Sequence, residues 1–199
     1  REGSLPEIII VGGRVFDGTG AETRDATILI RDGQIATVAA GDVQAGPSAE
    51  RIDAHGGFVM PGMIDCHVHL CSTASANYEL QRLKDLQPLQ AMRGLANAQK
   101  MLQAGFTTVR DLSAAQFSNV AIRQAIDEGL FVGPRVLAAG MSLTVPGGHG
   151  DSYYRPDVDV NREGIVNGPD AARRAVREWV KMRVDGIKLL VTGGVMTDG

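Results

Sequence analysis

Short apolar runs, rich in β-branched residues, alternate with glycine-containing turns in the first part of the chain. The runs cover residues 8–11, 14–16, 27–30 and 34–38, with turn-forming residues at 12–13, 17–20 and 31–33. Asp32-Gly33 between two such runs predicts a tight hairpin. After a loop at 41–50, residues 51–53 lead to a further short strand near Phe58 and Val59. Residues 1–60 are therefore predicted to be the N-terminal portion of a small all-β, β-sandwich-like domain.

From Met63 onward the pattern changes to compact apolar strands separated by amphipathic helices. After a strand that contains Met63, the predicted strands are residues 106–110, 134–139 and 186–191, which have the character of parallel strands buried on both faces. Apolar residues at helical spacing fill the gaps, with helix ends near Gly105, Gly129 and Gly186. Pro169 suits the first position of the last helix.

Strand and helix thus alternate three times before a fourth strand. Eight such units close a (β/α)8 TIM barrel, for which about 250 residues are typical, and residues 61–199 supply half of them. The predicted fold class is α/β: the N-terminal half of a TIM barrel, strands 1–4, preceded by the small β domain. A half barrel leaves two unpaired strand edges.

Two histidines stand two positions apart in the first of these strands. His67 and His69 therefore point to the same face and can converge on one metal ion. The alternative is that each is a hydrogen-bonded core residue. Asp65, just before them, is either a carboxylate that orients a metal ligand or the polar end of a turn.

Composition excludes several classes of function. With 44% hydrophobic and 22% charged residues among 199, the chain is expected to fold into a globular protein. A net charge of -3 and scattered lysines and arginines argue against a nucleic-acid partner. No apolar run approaches the roughly 20 residues of a membrane helix, so we expect a cytoplasmic protein and no membrane contact. The start at Arg1 leaves a removed leader as the alternative.

One motif resembles a known family. The sequence MPGMIDCHVHL at residues 60–70, between a small β unit and parallel βα units, resembles the metal-dependent amidohydrolase superfamily. Residues 104–111, 147–151 and 187–194 resemble the branch that contains imidazolonepropionase-like proteins, Xaa-Pro dipeptidases and related carboxypeptidases. The similarity covers essentially the whole chain.

The resemblance implies a longer enzyme of which this chain is the N-terminal part. Two further histidines after strands five and six, and a catalytic acid/base aspartate after strand eight, are expected beyond Gly199. The C-terminal half would then be a tightly associated partner. Similar proteins also assemble into homo-oligomers.

The same resemblance assigns a binuclear metal site. It implies that His67 and His69 bind one of two divalent metal ions, and that Lys188, carboxylated by carbon dioxide, bridges both. Zinc suits nitrogen and oxygen ligands best. The residues support the lysine assignment: if its neighbours Ile187 and Leu189 face the outer helices, Lys188 points into the barrel, where an unpaired ammonium is unfavourable. The alternative for Lys188 is a salt bridge inside the barrel.

Substrate contacts are predicted at the same end of the barrel. A long loop at 141–168 contains His149, Tyr153, Tyr154 and Arg155, which can hold a carboxylate or polarise a carbonyl. The alternative is that His149 caps the loop and the tyrosines pack. Arg110 and Asp111 end the second strand, where Arg110 can bind a carboxylate through paired hydrogen bonds, or both can pair with neighbouring residues.

These expectations combine into one leading function. The chain is predicted to belong to a binuclear zinc hydrolase that cleaves a C–N amide or peptide bond with metal-activated water. Its small-molecule substrate would be a dipeptide or an N-acyl amino acid. The alternatives are a hydrolase of cyclic amides of the imidazolone type and a catalytically inactive binding module with the same fold.

Overall fold

The structure is a computed structural model that describes residues 5–151, 155, 157 and 164–194. The chain divides into two compact units, Arg1–Pro61 and Gly62–Gly199. The strands are β1 (Ile8–Val15), β2 (Arg24–Arg31), β3 (Gln34–Ala39), β4 (Glu50–Asp53), β5 (Phe58–Val59), β6 (Met63–Val68), β7 (Phe106–Asp111) and β8 (Arg135–Ala138). The helices are α1 (Tyr78–Lys84), α2 (Gln87–Gln103), α3 (Ser118–Asp127) and α4 (Pro169–Lys181).

The first unit is a five-stranded sheet in the order β3-β2-β1-β4, with β5 also paired to β1. β1, β2 and β3 are antiparallel neighbours, whereas β4 and β5 run parallel to β1. The predicted hairpin between β2 and β3 is confirmed, because Asp32 and Gly33 both have positive φ, 50° and 74°. Val15, Ala26 and Ile28 form a buried cluster on this sheet.

Gly12 and Gly13 lie within β1 and do not separate two strands, so the prediction of separate strands at 8–11 and 14–16 is wrong. The register with β2 shifts between Ile10 and Gly13, which marks a bulge. Before the bulge β1 pairs with β4, and after it with β5. A Cβ atom at Gly12 would lie 2.8 Å from the Asp53 carboxylate, so the bulge needs a residue without a side chain.

The second unit contains a parallel sheet in the order β6-β7-β8, with helices following each strand. The predicted alternation of parallel strands and helices is present for these three strands. Val109 on the central strand β7 is completely buried, with Val136 of β8 beside it and Ile122 of α3 above it in the same apolar cluster. This packing fixes the strand ends that carry the candidate site residues.

The fourth predicted strand, at 186–191, is not formed as a strand within the described residues. It is reduced to an isolated parallel bridge between Leu143 and Leu189. The Leu143 N–H donates to the Lys188 carbonyl, and the Leu190 N–H donates to the Leu143 carbonyl, both at 2.9 Å. The reason is that β8 ends at Ala138 and the chain then turns at Gly140, where φ is 71°. The backbone after β8 therefore pairs with the lysine segment as in a sheet only at Leu143.

The helices follow the sequence pattern with two differences. α4 begins at Pro169 as predicted but ends at Lys181, earlier than the predicted Gly186, and α1 is a helix that the sequence pattern does not predict. In α4, Trp179 is buried and donates a hydrogen bond of 2.6 Å from Nε1 to the Met141 carbonyl. None of the helices in the described part of the chain is long and apolar enough to cross a membrane.

Candidate active site

The two histidines lie side by side at the carboxyl end of β6. β6 ends at Val68, so His67 is within the strand and His69 follows it. The ring centroids of His67 and His69 are 5.3 Å apart, with the ring planes at 69° to each other. Both residues are exposed within this chain. The structure therefore places the two imidazoles on one face, as strand alternation predicts.

A hydrogen bond fixes which nitrogen of His69 can bind a metal ion. Nδ1 of His69 lies 3.3 Å from the Ser113 carbonyl oxygen. A carbonyl oxygen can only accept, so this contact needs a proton on Nδ1 and leaves Nε2 as the nitrogen that can bind a metal ion. Metal-binding histidines commonly donate their second nitrogen to such a carbonyl.

β6 is irregular at His67, and two side chains take over the backbone bonds there. The register between β6 and β7 shifts between Asp65 and Val68. The Asp65 carboxylate accepts the His67 N–H at 2.9 Å, and Arg110 donates from Nε to the Cys66 carbonyl at 2.8 Å. Two roles were possible for Asp65, to orient a metal ligand or to end a turn. Its hydrogen bond to the backbone N–H of His67 is of the kind found in turns. Arg110 pairs with the neighbouring strand.

The charges around His67 favour its neutral form. Desolvation and the positive charge of Lys188 lower the pKa of His67. His69 and Arg110 add to this effect, whereas the Asp65 carboxylate opposes it. A neutral imidazole is the form that binds metal ions.

Lys188 is half-buried and close enough for its charge to act on His67. Within the residues that the structure describes, it forms no ion pair, so the predicted alternative of an internal salt bridge is not seen there. The backbone bonds on both sides of Leu143 hold the lysine segment beside the end of β8.

These donors fit a metal site that is still incomplete. No group of three His, Cys, Asp or Glu side chains suited to a metal ion occurs in the described part of the chain. His67 and His69 offer two nitrogen donors, and a carbamate on Lys188 would add oxygen donors. An ammonium at Lys188 would instead repel a cation, so the fit depends on that modification.

His149 lies against the chain that follows Lys188. A Cβ atom at Gly194 would be 2.6 Å from Cε1 of His149, so only glycine allows this close approach. The next residue, Gly150, is similarly close to Leu190, at 2.8 Å from an added Cβ to Cδ1. The structure therefore places His149 with the lysine segment.

Of the three other loop candidates, the structure describes Arg155. Arg155 is exposed and forms an ion pair of 3.1 Å with Asp157. Tyr153 and Tyr154 lie outside the described residues.

Asp111 is completely buried, and its carboxylate accepts three hydrogen bonds. Oδ2 accepts the Leu70 N–H at 2.7 Å, and Oδ1 accepts the Ser113 N–H at 3.1 Å and the Asn119 side-chain amide at 2.9 Å. Burial raises the pKa of Asp111, while these hydrogen bonds oppose the rise. This placement does not favour the predicted substrate contact for Asp111.

Sequence reasoning missed Asn119 and Ser113. Asn119 is completely buried, three positions before Ile122 on the inner face of α3, where apolar residues are expected. A polar residue on the apolar face of a predicted helix could have indicated a buried hydrogen-bonding role for Asn119.

Comparison with known proteins shows which family the chain resembles. Residues 58–198 match the model of the Amidohydrolase family. The curated ochratoxinase of Aspergillus niger is 29% identical over 214 residues, which cover 95% of this chain and 43% of that protein. Imidazolonepropionase of Idiomarina loihiensis is 36% identical over 104 residues, which cover 51% of this chain and 24% of that protein.

A solved structure is similar over nearly the whole chain. The crystal structure of a prolidase complexed with N-methylphosphonate-L-proline has a TM-score of 0.85 and 33% identity, covering 96% of this chain and 48% of that one. The chain thus spans about half the length of the relatives that it matches along most of its own length.

Proposed function

The chain belongs to the amidohydrolase family, and from this premise we propose that the complete enzyme is a binuclear zinc hydrolase of a C–N amide or peptide bond. The relatives named as an N-acyl-D-glutamate deacylase, a prolidase and an ochratoxinase support this proposal. The observation that carries the proposal is the pair of adjacent imidazoles, His67 and His69, with the Lys188 charge acting on one of them.

Three residues of this chain would hold the metal ions. His67 and His69 would bind one ion through neutral imidazole nitrogens, and a carbamate on Lys188 would bridge it to a second. The carbamate forms when the neutral amine of Lys188 attacks carbon dioxide, which makes a C–N bond and releases one proton. When bound, two divalent ions supply an activated water and polarise the scissile carbonyl. Zinc suits this mixture of nitrogen and oxygen donors.

The substrate is proposed to carry a carboxylate. Arg110 and Lys188 make the surroundings of His67 positive, which attracts an anionic substrate. Because Nε of Arg110 is bonded to the Cys66 carbonyl, its terminal nitrogens are the ones that would meet the carboxylate. His149, held beside the lysine segment, is proposed to donate to the oxygen of the scissile carbonyl. The prolidase relative, complexed with a proline derivative, supports a dipeptide or N-acyl amino acid.

A second candidate is the hydrolysis of a cyclic amide at the same metal site. The similarity to imidazolonepropionase over 104 residues favours it. The two candidates are separated by substrate: a linear N-acyl amino acid is cleaved only in the first case, and an imidazolone only in the second. Cleavage of neither, by a protein without metal, would indicate a binding module.

The complete protein is proposed to finish a (β/α)8 barrel. The second unit would supply its first half, and the remaining metal ligands and the acid/base aspartate would come from a C-terminal half that packs tightly on this one. The homo-oligomer and the cytoplasmic location stay predictions.

The proposal is tested by counting metal in the full-length protein. We expect about two zinc ions per protomer, and loss of metal and amidase activity in His67→Ala and His69→Ala. His55→Ala is the matched control, because His55 is exposed in the first unit. A folded wild-type protein without bound metal would contradict the proposal.

A further inference from the structure

We propose that Asp111 is a positioning residue that holds His69 in the orientation for metal binding. This inference rests on the proposed function, because it assigns a supporting role to a residue behind a proposed metal ligand. Asp111 itself touches neither metal nor substrate in this assignment.

The Asp111 carboxylate accepts hydrogen bonds from two backbone N–H groups that flank His69 in the structure. Asp111 accepts the N–H of Leu70, the residue directly after His69, at 2.7 Å. It also accepts the N–H of Ser113, whose carbonyl receives Nδ1 of His69. One carboxylate therefore fixes both the backbone that carries the imidazole and the residue to which the imidazole is bonded.

Helix α3 supplies a further hydrogen bond that holds the Asp111 carboxylate in its orientation. The side-chain amide of Asn119 in α3 donates to Oδ1 of Asp111 at 2.9 Å and to the Gly140 carbonyl at 3.0 Å. Oδ1 of Asn119 is buried without a partner among the described residues, which is unfavourable. The Asn119 amide thus links the Asp111 carboxylate, at the end of β7, to the Gly140 carbonyl, which follows β8.

The chemistry explains why a carboxylate is needed at this position. All three partners of Asp111 are N–H donors, and an ionised carboxylate is a pure acceptor. Charge-assisted hydrogen bonds of this kind are stronger than neutral ones. An asparagine would present its own N–H₂ to at least one donor and would lose that bond.

The test measures zinc affinity of the metal-free, full-length protein by competition with a chromophoric chelator. Asp111→Asn is expected to weaken zinc binding about 10- to 100-fold, the usual effect of losing a group that orients a metal ligand. The absorption spectrum of the cobalt-substituted protein should change as well, because His69 no longer points at the ion in the same way. A purely structural role would change neither quantity in the folded protein.

Asp17→Asn is the matched control. The Asp17 carboxylate also accepts a backbone N–H, from Thr19 at 3.0 Å, and pairs with Arg24, but it belongs to the first unit and not to the unit that carries the proposed metal ligands. We expect this variant to unfold at a lower temperature and to bind zinc with wild-type affinity. Equal loss of zinc affinity in both aspartate variants would overturn the proposal.

A milder variant covers the case in which Asp111→Asn does not fold. Asn119→Ser removes the amide that holds the carboxylate, and we expect a smaller loss of zinc affinity with the same change in the cobalt spectrum. Wild-type affinity and spectrum in every folded variant would overturn the positioning role. His69→Ala separates this result from a failure of the proposed function: wild-type affinity in that variant would remove His69 as a ligand and the proposed site with it.

Discussion

Glu7 in the first unit and Asp111 in the second show two different uses of a carboxylate. Glu7, partly exposed, accepts hydrogen bonds from Arg31 and from the Gly46 N–H, and these lower its pKa. Asp111 is completely buried, and burial raises its pKa. The first carboxylate ties the beginning of β1 to the end of β2 and to a loop. The second holds the backbone beside a candidate metal ligand, and three N–H donors offset part of the cost of its burial.

The largest expected effect comes from the cores of the two units. Leu29→Ala in the first unit and Ile122→Ala in the second each remove a buried side chain and should cost about 2–5 kcal/mol of unfolding free energy. If the metal site belongs to the second unit, added zinc should raise the temperature at which that unit unfolds, which Ile122→Ala lowers, and should leave unchanged the temperature at which the first unit unfolds, which Leu29→Ala lowers. The measurement is calorimetry with and without zinc. Equal shifts of the unfolding temperature in both variants would contradict the assignment of the metal site to the second unit.

Arg110 should affect substrate binding more than stability. Arg110→Ala removes the guanidinium next to His67, and loss of a charge-assisted hydrogen bond of about 1.5–3 kcal/mol predicts a rise in KM of about 10- to 100-fold for a carboxylate substrate. The amide or ester of the same substrate, which lacks the negative charge, is the control and should be much less affected. Equal effects on both substrates would show that Arg110 only shapes β6.

Part of this comparison could be predicted from the sequence. His67 and His69 are two positions apart, and strand alternation predicts that they share one face, where the structure has their rings 5.3 Å apart. The role of Asp111 could not be predicted, because its partner Leu70 is 41 positions away and the contact depends on the pairing of β6 with β7. Local patterns contain no information on which distant N–H groups will face a carboxylate.

Two fold predictions were wrong for related reasons. Gly12 and Gly13 have the composition of a turn, but β1 continues through them because β2, β4 and β5 all pair with it. The apolar run at 186–191 has the composition of a strand. It pairs through only one bridge, because the segment that follows β8 in the same chain turns at Gly140. Pairing partners decide both cases, and they are distant in sequence.

Cys71 offers a smaller test of how well the second unit is closed. Burial, with the Asp111 charge nearby, raises the pKa of this thiol to about 12, so almost no thiolate is present near neutral pH. In a Cys66→Ser background, alkylation of Cys71 should be slow in the folded protein and fast in denaturant. Fast alkylation under native conditions would show that the Asp111 surroundings open readily.

The smallest effect is expected at Glu7. Because its pKa in the folded protein lies below that of a free glutamate, it contributes stability that is present above the free pKa and is lost as the pH falls through the folded pKa. Glu7→Gln should therefore slightly lower the unfolding temperature at pH 7, and the difference from wild type should vanish in acid. Thermal unfolding at several pH values checks this. A difference that grows in acid would have the wrong sign.

Lys188 has to become an anionic ligand for the proposed binuclear site to form. The direct measurement is the zinc content of full-length Lys188→Ala, with and without short carboxylic acids such as acetate or propionate, and with Lys181→Ala as the control on the exposed end of α4. We predict that Lys188→Ala loses bound zinc and activity, that a short carboxylic acid restores part of both, and that the control resembles wild type. Unchanged zinc content and activity in Lys188→Ala would contradict the bridging role.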